Sequence, residues 1–238
     1  MRIALSICGL ERLSMSDALV SGVGVSRSFQ LGGVAFEALK PASFTVRKGD
    51  RIAIIGPSGS GKSTLMQLIA DLDTPTSGQL LWPALGASGQ LRPRHVGVVF
   101  QSPSLIPTLS AVENVELPMR LLGGDNALRD NALRALAAVG LADIADKLPD
   151  QLSGGQAQRV GLARAIALHP SLILADEPTG QLDEATAQIA LDALLTSVSG
   201  DDMALVVTTH DPAVARRLKT IWRMDFGILT ISSEGGEL

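Results

Sequence analysis

The sequence predicts an α/β fold, a sheet whose strands alternate with helices and whose ligand sits at the strand ends. Three observations carry this. Short apolar runs alternate along the chain with stretches of helical periodicity. The runs end on polar residues, as at Ala175-Asp176-Glu177 and Thr208-Thr209-His210. One of them, Arg51–Ile55, feeds directly into a glycine-rich loop that a helical pattern follows.

Taken in order, Val23–Gln30 and Ala42–Val46 read as strands on either side of a turn at Gly32-Gly33, an antiparallel β region near the N-terminus. Arg51–Ile55 is a buried strand, and Lys62 to about Asp71 a helix that stops before Thr74-Pro75. Gln79–Trp82 and His95–Phe100 are further strands, separated by a loop rich in Gly and Pro. Ser110-Ala-Val-Glu113 has the form of a capping box, so a helix starts there, and Pro118 predicts a kink or a restart. Asn126–Val139 is helical and ends at Gly140, and Gly155–Leu168 is helical up to His169-Pro170. Ser171–Ala175 is a strand. Asp183 is placed to cap a helix over Glu184–Val198, which Gly200 ends. Ala204–Thr208 is another buried strand, and Ile221–Met224 with Ile228–Ser232 makes a hairpin around Asp225-Phe226-Gly227. The helical middle lies between two strand-rich parts, as an inserted subdomain would.

Composition excludes several classes. Of 238 residues, 46% are hydrophobic and 18% charged, which is enough apolar material for a core and too little charge for global disorder. The formal net charge is −4 with Lys and Arg scattered, so no basic face for nucleic acid is expected. The lone Cys8 has no internal disulfide partner. No stretch reaches the ~18 apolar residues of a spanning helix. Met1–Leu10 pairs Arg2 with a short apolar run, but Glu11 and Arg12 interrupt it. Residues 1–20 are therefore expected to be a poorly ordered leader, with one domain over 21–238.

Gly56-Pro57-Ser58-Gly59-Ser60-Gly61-Lys62-Ser63-Thr64 has the spacing G-x-x-x-x-G-K-[ST]. Wrapping a polyphosphate demands close approach of backbone N–H groups, hence glycine at 56, 59 and 61. The helix that follows points its positive end at the anion. Lys62 reaches the β- and γ-phosphates, and the Ser63 hydroxyl is a ligand for Mg²⁺. Leu172–Asp176 supplies the complementary element, an apolar strand that carries Asp176 to the sheet edge to hold the Mg²⁺ shell. Glu177, next in the chain, is placed to polarise a water. Leu152-Ser153-Gly154-Gly155-Gln156 puts two glycines behind a serine at a helix start, a second anion-binding element.

With these residues in place the chain resembles the ATP-binding-cassette (ABC) family. Leu152–Gln156 looks like the family signature, and Gln158-Arg159 follows it as is usual there. Gln101 resembles the Q-loop glutamine at the metal and γ-phosphate, Leu182-Asp183 the D-loop, and His210 the switch histidine. Phe29 resembles the aromatic residue that stacks on adenine, where the family more often has tyrosine; this chain contains none. Val99-Phe100-Gln101, Glu113-Asn114-Val115, Leu117-Pro118 and Ala175–Gly180 are similar to the lipoprotein-release, macrolide-export and cell-division group. The loop Pro83–Arg94 departs from that group.

The resemblance implies a P-loop NTPase core sheet with an N-terminal antiparallel β region and a helical subdomain inserted at about 103–165. It implies ATP and Mg²⁺ as ligands, and hydrolysis that depends on Glu177, His210, Gln101 and Lys62. It also implies head-to-tail closure of two copies, with Ser153, Gly154, Gly155, Gln156 and Asp183 of one reaching the nucleotide of the other. The expected partners are a second ATPase subunit and a transmembrane permease, on the cytoplasmic face of the membrane. The segment Ser102–Leu109, apolar and kept extended by Pro103 and Pro107, is the expected docking surface, the alternative being that Leu105, Ile106 and Leu109 fold back as the subdomain's own core. The alternatives are a regulatory, non-transport complex of the cell-division type and an ABC protein acting on DNA or ribosomes.

Overall fold

The structure, a computed structural model, describes residues 17–124, 127–180, 182–198, 200 and 202–231. Residues 1–16 of the expected leader lie outside these. Its last three residues do not behave as a leader, because β1 spans Ala18–Leu31 and both Leu19 and Val20 are buried. β1 pairs antiparallel with β2 (Val34–Arg47) and with β4 (Ser77–Leu81), giving a three-stranded sheet. The turn between β1 and β2 falls at Gly32-Gly33, both with the positive φ that glycine tolerates.

The second sheet has six strands in the order β5-β6-β7-β3-β8-β9. Its members are β3 (Arg51–Ile55), β5 (Val96–Val99), β6 (Leu172–Asp176), β7 (Ala204–Thr209), β8 (Thr220–Asp225) and β9 (Ile228–Ile231). All pairings are parallel except β8 with β9. The central strands β6 and β7 are buried almost without a break, as a sheet covered on both faces requires. Their side chains alternate between two cores. Ile173, Leu205 and Val207 face the core under the helices α2 (Ala111–Leu121), α3 (Leu128–Ala138), α4 (Gly154–Ile166) and α5 (Glu184–Ser197). Leu172, Leu174 and Val206 face the core under α1 (Lys62–Ile69) and the three-stranded sheet. A short helix, α6 (Pro212–Ala215), follows β7.

Local signals behave as their chemistry dictates. The capping box at α2 is complete, with Ser110 N–H donating to Glu113 at 2.8 Å and Glu113 N–H donating to the Ser110 hydroxyl. The Ser110 N–H and, after it, the Ser110 hydroxyl, both donating to the Glu113 carboxylate, hold that carboxyl below its ordinary pKa. No restart occurs at Pro118, which sits inside α2 as that helix runs on to Leu121. Val112, Val115 and Met119 are buried on one face of that helix, and this packing offsets the hydrogen bond proline removes. The loop after β4 is not loose either. Trp82 is buried and donates through Nε1 to the Ile69 carbonyl at 2.9 Å, with Leu85 and Leu91 packed in the same core.

Gly97 in β5 lies against α4, where a Cβ would stand 2.5 Å from the Ala165 carbonyl oxygen. Gly97→Ala is expected to lower stability by about 1–3 kcal/mol, the usual range for overpacking, seen as a lower urea midpoint at unchanged slope.

Candidate active site

Parallel register places the carboxyl ends of the central strands at one level, with Ile55 paired to Thr209 and to Arg223, and Asp176 to Thr208. The glycine-rich loop leaves this edge at Gly56 and enters α1 at Lys62. The loop is pressed against its neighbours. A Cβ at Gly56 would overlap the Met224 carbonyl oxygen of β8, and one at Gly61 the Ala38 carbonyl oxygen of β2. Gly227 N–H donates to the Ser60 carbonyl at 3.0 Å, tying the β8–β9 hairpin to the loop. The Ser60 side chain is buried, so only its backbone faces a ligand. No side chain caps α1 and its first turn has no acidic residue, which leaves the positive end of the helix open.

Lys62 is 6% exposed and its ammonium is already directed, donating to the carbonyls of Gly56 (2.8 Å) and Pro57 (3.0 Å). Its Nζ also lies 4.0 Å from Glu177 Oε1. The other oxygen of that carboxylate, Oε2, is 2.6 Å from His210 Nδ1, so Glu177 bridges the loop lysine and the histidine after β7. Glu177 adopts φ +46, a left-handed conformation uncommon for this residue, and its N–H is held by the Thr208 hydroxyl (3.0 Å) and carbonyl (3.1 Å). The same Thr208 hydroxyl donates to the Asp176 carboxylate. One fully buried threonine thus sets both acids.

Phe29, Ser58, Lys62, Ser63, Gln101 and Glu177 line one cleft of about 400 Å³, together with Gly59, Gly61 and Thr64. Phe36 lines it as well, directly opposite Phe29 across the β1–β2 pair. Arg27 lies over the Phe29 ring at 4.6 Å from its centroid and is fixed there by Asp73 at 2.7 Å. The cleft therefore has an aromatic end and a phosphate-loop end. Ser63 is exposed, and with Gln101 and Asp176 it offers hard oxygen donors of the kind Mg²⁺ takes. Among the described residues no group of three or more His, Cys, Asp or Glu side chains is arranged to hold a metal ion. A divalent ion here would take most of its ligands from phosphate and water.

The second anion-binding element stands elsewhere. Ser153 caps α4 in a capping box with Gln156, its hydroxyl accepting from Gln156 N–H at 3.2 Å and its own N–H donating to Gln156 Oε1 at 3.0 Å. A Cβ on Gly154 would meet open space, and one on Gly155 would touch Leu182 and Thr186. Asp183 caps α5 through Thr186, whose hydrogen bonds lower the Asp183 pKa. Neither Ser153–Gln156 nor Asp183 lines the cleft. Two residues of the site were not singled out from the sequence. Phe36 could have been found from its place four residues after the turn at Gly32, and Thr208 from the polar pair that ends the apolar run Ala204–Val207.

The segment after Gln101 divides between the two expectations. Ser102, Ser104, Ile106, Pro107 and Thr108 are exposed, while Leu105 packs against the core and the segment is tied to α2 by Asn114, which is fully buried. Its side chain accepts from Ile106 N–H (2.8 Å) and donates to the carbonyls of Ile106 (3.2 Å) and Leu109 (2.8 Å). Beside Gln101 lies a cleft of about 440 Å³, lined by Val98, Phe100, Leu117, Pro118 and Leu121 and by the charged Asp71, Arg92 and Arg164. Among the described residues no helix is long and apolar enough to cross a membrane.

The chain was compared with known proteins. A family model described as "ABC transporter" matches residues 39–180. The lipoprotein-releasing system ATP-binding protein LolD of Novosphingobium aromaticivorans is 42% identical over 223 residues, covering 90% of this chain and 100% of that protein. The macrolide export ATP-binding/permease protein MacB of Syntrophobacter fumaroxidans is 40% identical over 217 residues, 86% of this chain but 30% of that one. Among solved structures, the dimeric ABC transporter cassette MJ0796 superposes with TM-score 0.80 at 38% identity, covering 87% of this chain and 95% of that one. A second MJ0796 structure, in a post-hydrolysis state bound to ADP and Pi, gives the same TM-score at 36% identity, covering 89% and 98%. With a phosphate loop, a carboxylate pair and a serine-glycine helix cap on this fold, and with relatives at this identity along nearly its whole length, the chain belongs to the ABC transporter family as an ATP-binding cassette.

Proposed function

We propose that this chain is the ATP-hydrolysing subunit of a membrane complex, two copies of which close over two ATP molecules and drive a permease of the lipoprotein-release and macrolide-export kind. The observation that carries this is the Glu177 carboxylate, shared between Lys62 of the phosphate loop and His210. Such a group faces the end of a bound triphosphate with a base already oriented.

The loop N–H groups and the start of α1 bind the phosphates. Lys62 exchanges its two carbonyl acceptors for phosphate oxygens, which are stronger partners because they are charged. Glu177 takes the proton of the attacking water as the bond between the γ-phosphorus and the ADP oxygen breaks. His210 Nδ1 donates to Glu177 Oε2 and keeps the carboxylate aimed. Mg²⁺, held by Ser63, Gln101 and the shell around Asp176, would supply electrophilic neutralisation of the phosphate oxygens. Phe29 and Phe36 take the base by stacking. Ser153–Gln156 and Asp183, which do not line this chain's own cleft, complete the site of a second copy. This is why hydrolysis needs the dimer. The subunit works at the inner face of the membrane, and the cleft at Phe100 and Leu121 receives the permease.

Glu177→Gln keeps shape but removes the charge that polarises water. Turnover is expected to fall about 10²–10⁴-fold with ATP binding intact, and a dimer should accumulate in ATP on size-exclusion chromatography. Near-parental hydrolysis by this variant would sink the assignment. Phe29→Ala should raise the nucleotide dissociation constant about ten-fold or more, since base stacking is worth ~1–3 kcal/mol, and Phe36→Ala should act in the same direction. Nucleotide titration of variants that keep their circular dichroism checks both. Leu121 is 71% exposed, so Leu121→Ser is expected to leave the fold intact and cut retention of the co-expressed permease about ten-fold in a pull-down.

A further inference from the structure

The segment that carries Gln101 is gripped by one face of α4. Gln158 Nε2 donates to the Phe100 carbonyl, immediately before Gln101, at 3.1 Å. One turn on, Gly161 presents bare backbone, and a Cβ there would meet the Pro103 carbonyl oxygen at 3.4 Å. A further turn on, Arg164 donates to the carbonyls of Pro103 (2.9 Å) and Ser104 (3.1 Å). Positions 158, 161 and 164 lie three apart and so share a helix face. The carbonyls they hold bracket Gln101 on both sides.

Two features say that this grip is more than packing. Gln158 is 4% exposed, yet its Oε1 has no hydrogen-bond partner among the described residues. An amide buried with half its polar atoms unpartnered destabilises relative to an apolar side chain of similar size. What the amide contributes is the bond to Phe100. Ser104, for its part, has φ +45, a conformation that a non-glycine residue holds only when its surroundings impose it. Arg164 does so from a half-buried position that pulls its guanidinium pKa down.

We propose that Gln158 and Arg164 are positioning residues for Gln101, making Gln101 and the Ser153–Gln156 cap one rigid unit. The cap begins the helix and the grip lies on its next turns. Contact of a second copy with Ser153–Gln156 therefore moves Gln101 in the first copy's cleft, and the position of Gln101 in turn biases the cap. The proposal rests on the role given to Gln101 under Proposed function.

The test uses Gln158→Leu, which removes the donor and the unpartnered oxygen together at nearly constant volume. A thermal melt close to that of the parent is expected. Turnover should fall about ten-fold, the size of one lost hydrogen bond at a positioned group. Because Gln158 acts through Gln101, the double variant with Gln101→Ala should be no slower than Gln101→Ala alone. Backbone order parameters of Gln101, Ser102 and Ser104 in solution should drop from the rigid value of about 0.85 towards about 0.6, while those of α4 are unchanged. Losses that multiply in the double variant, or unchanged order parameters over 101–104, would overturn the proposal. If Gln101→Ala hydrolyses ATP at the parental rate, the role of Gln101 fails, while the order-parameter measurement, which needs no hydrolysis, still decides whether the grip exists. Should Gln158→Leu not fold, Arg164→Lys against Arg164→Met replaces it. Turnover and backbone order restored in the lysine variant support the grip, and equal losses in both refute it.

Discussion

A polyphosphate can be wrapped only by backbone that has no side chains in the way, and much of this molecule is arranged around that constraint. The loop Gly56–Gly61 is held by contacts that themselves demand glycine, with the carbonyls of Met224 and Ala38 standing where Cβ atoms of Gly56 and Gly61 would be. These carbonyls come from β8 in the large sheet and β2 in the small one, so both sheets press on the same six residues. The Gly227–Ser60 bond adds a third anchor. A ligand therefore meets N–H groups whose positions are set before it arrives, which is the condition for electrostatic stabilisation without reorganisation.

The second dependence is electrostatic. Lys62 is buried, and a buried ammonium is tolerated only with partners on every side that lacks water. The loop carbonyls and Glu177 provide them. The acid pair is organised from beneath by Thr208, which is buried in the same layer as apolar strand residues. Its hydroxyl donates to Asp176 and accepts from the Glu177 N–H, so the two acids cannot drift independently. Glu177 keeps its left-handed backbone because that N–H has two acceptors on β7.

A single copy presents two separate polar elements. Phe29, Lys62, Gln101 and Glu177 line the cleft, while Ser153–Gln156 and Asp183 cap helices outside it. A capping box at Ser153 and the Thr186 bonds at Asp183 hold these side chains in place, so a partner would meet a preformed surface that costs little to order on binding. The helical subdomain connects these parts, since α4 starts at Ser153 and runs past the segment of Gln101. Asn114 secures the far end of that segment through Ile106 and Leu109. The chain that leaves Gln101 is thus fastened at both ends.

The sequence by itself determined nearly every element and most of the site. Apolar runs and helical periods, the capping box at Ser110, and the loops at Gly56 and Leu152 are local signals, legible because the residues that cause them are neighbours in the chain. Only the tertiary structure decided the strand order that sets β3 between β7 and β8, the meeting of Lys62 with Glu177 and His210, and the pairing of Phe36 with Phe29. It decided too that Leu105 turns inward, that Pro118 is carried within a helix, and that Leu19 and Val20 belong to a strand rather than a leader. Each of these depends on residues far apart in sequence competing for the same core or the same hydrogen bond. Periodicity says which face of an element is apolar and leaves open what will cover it.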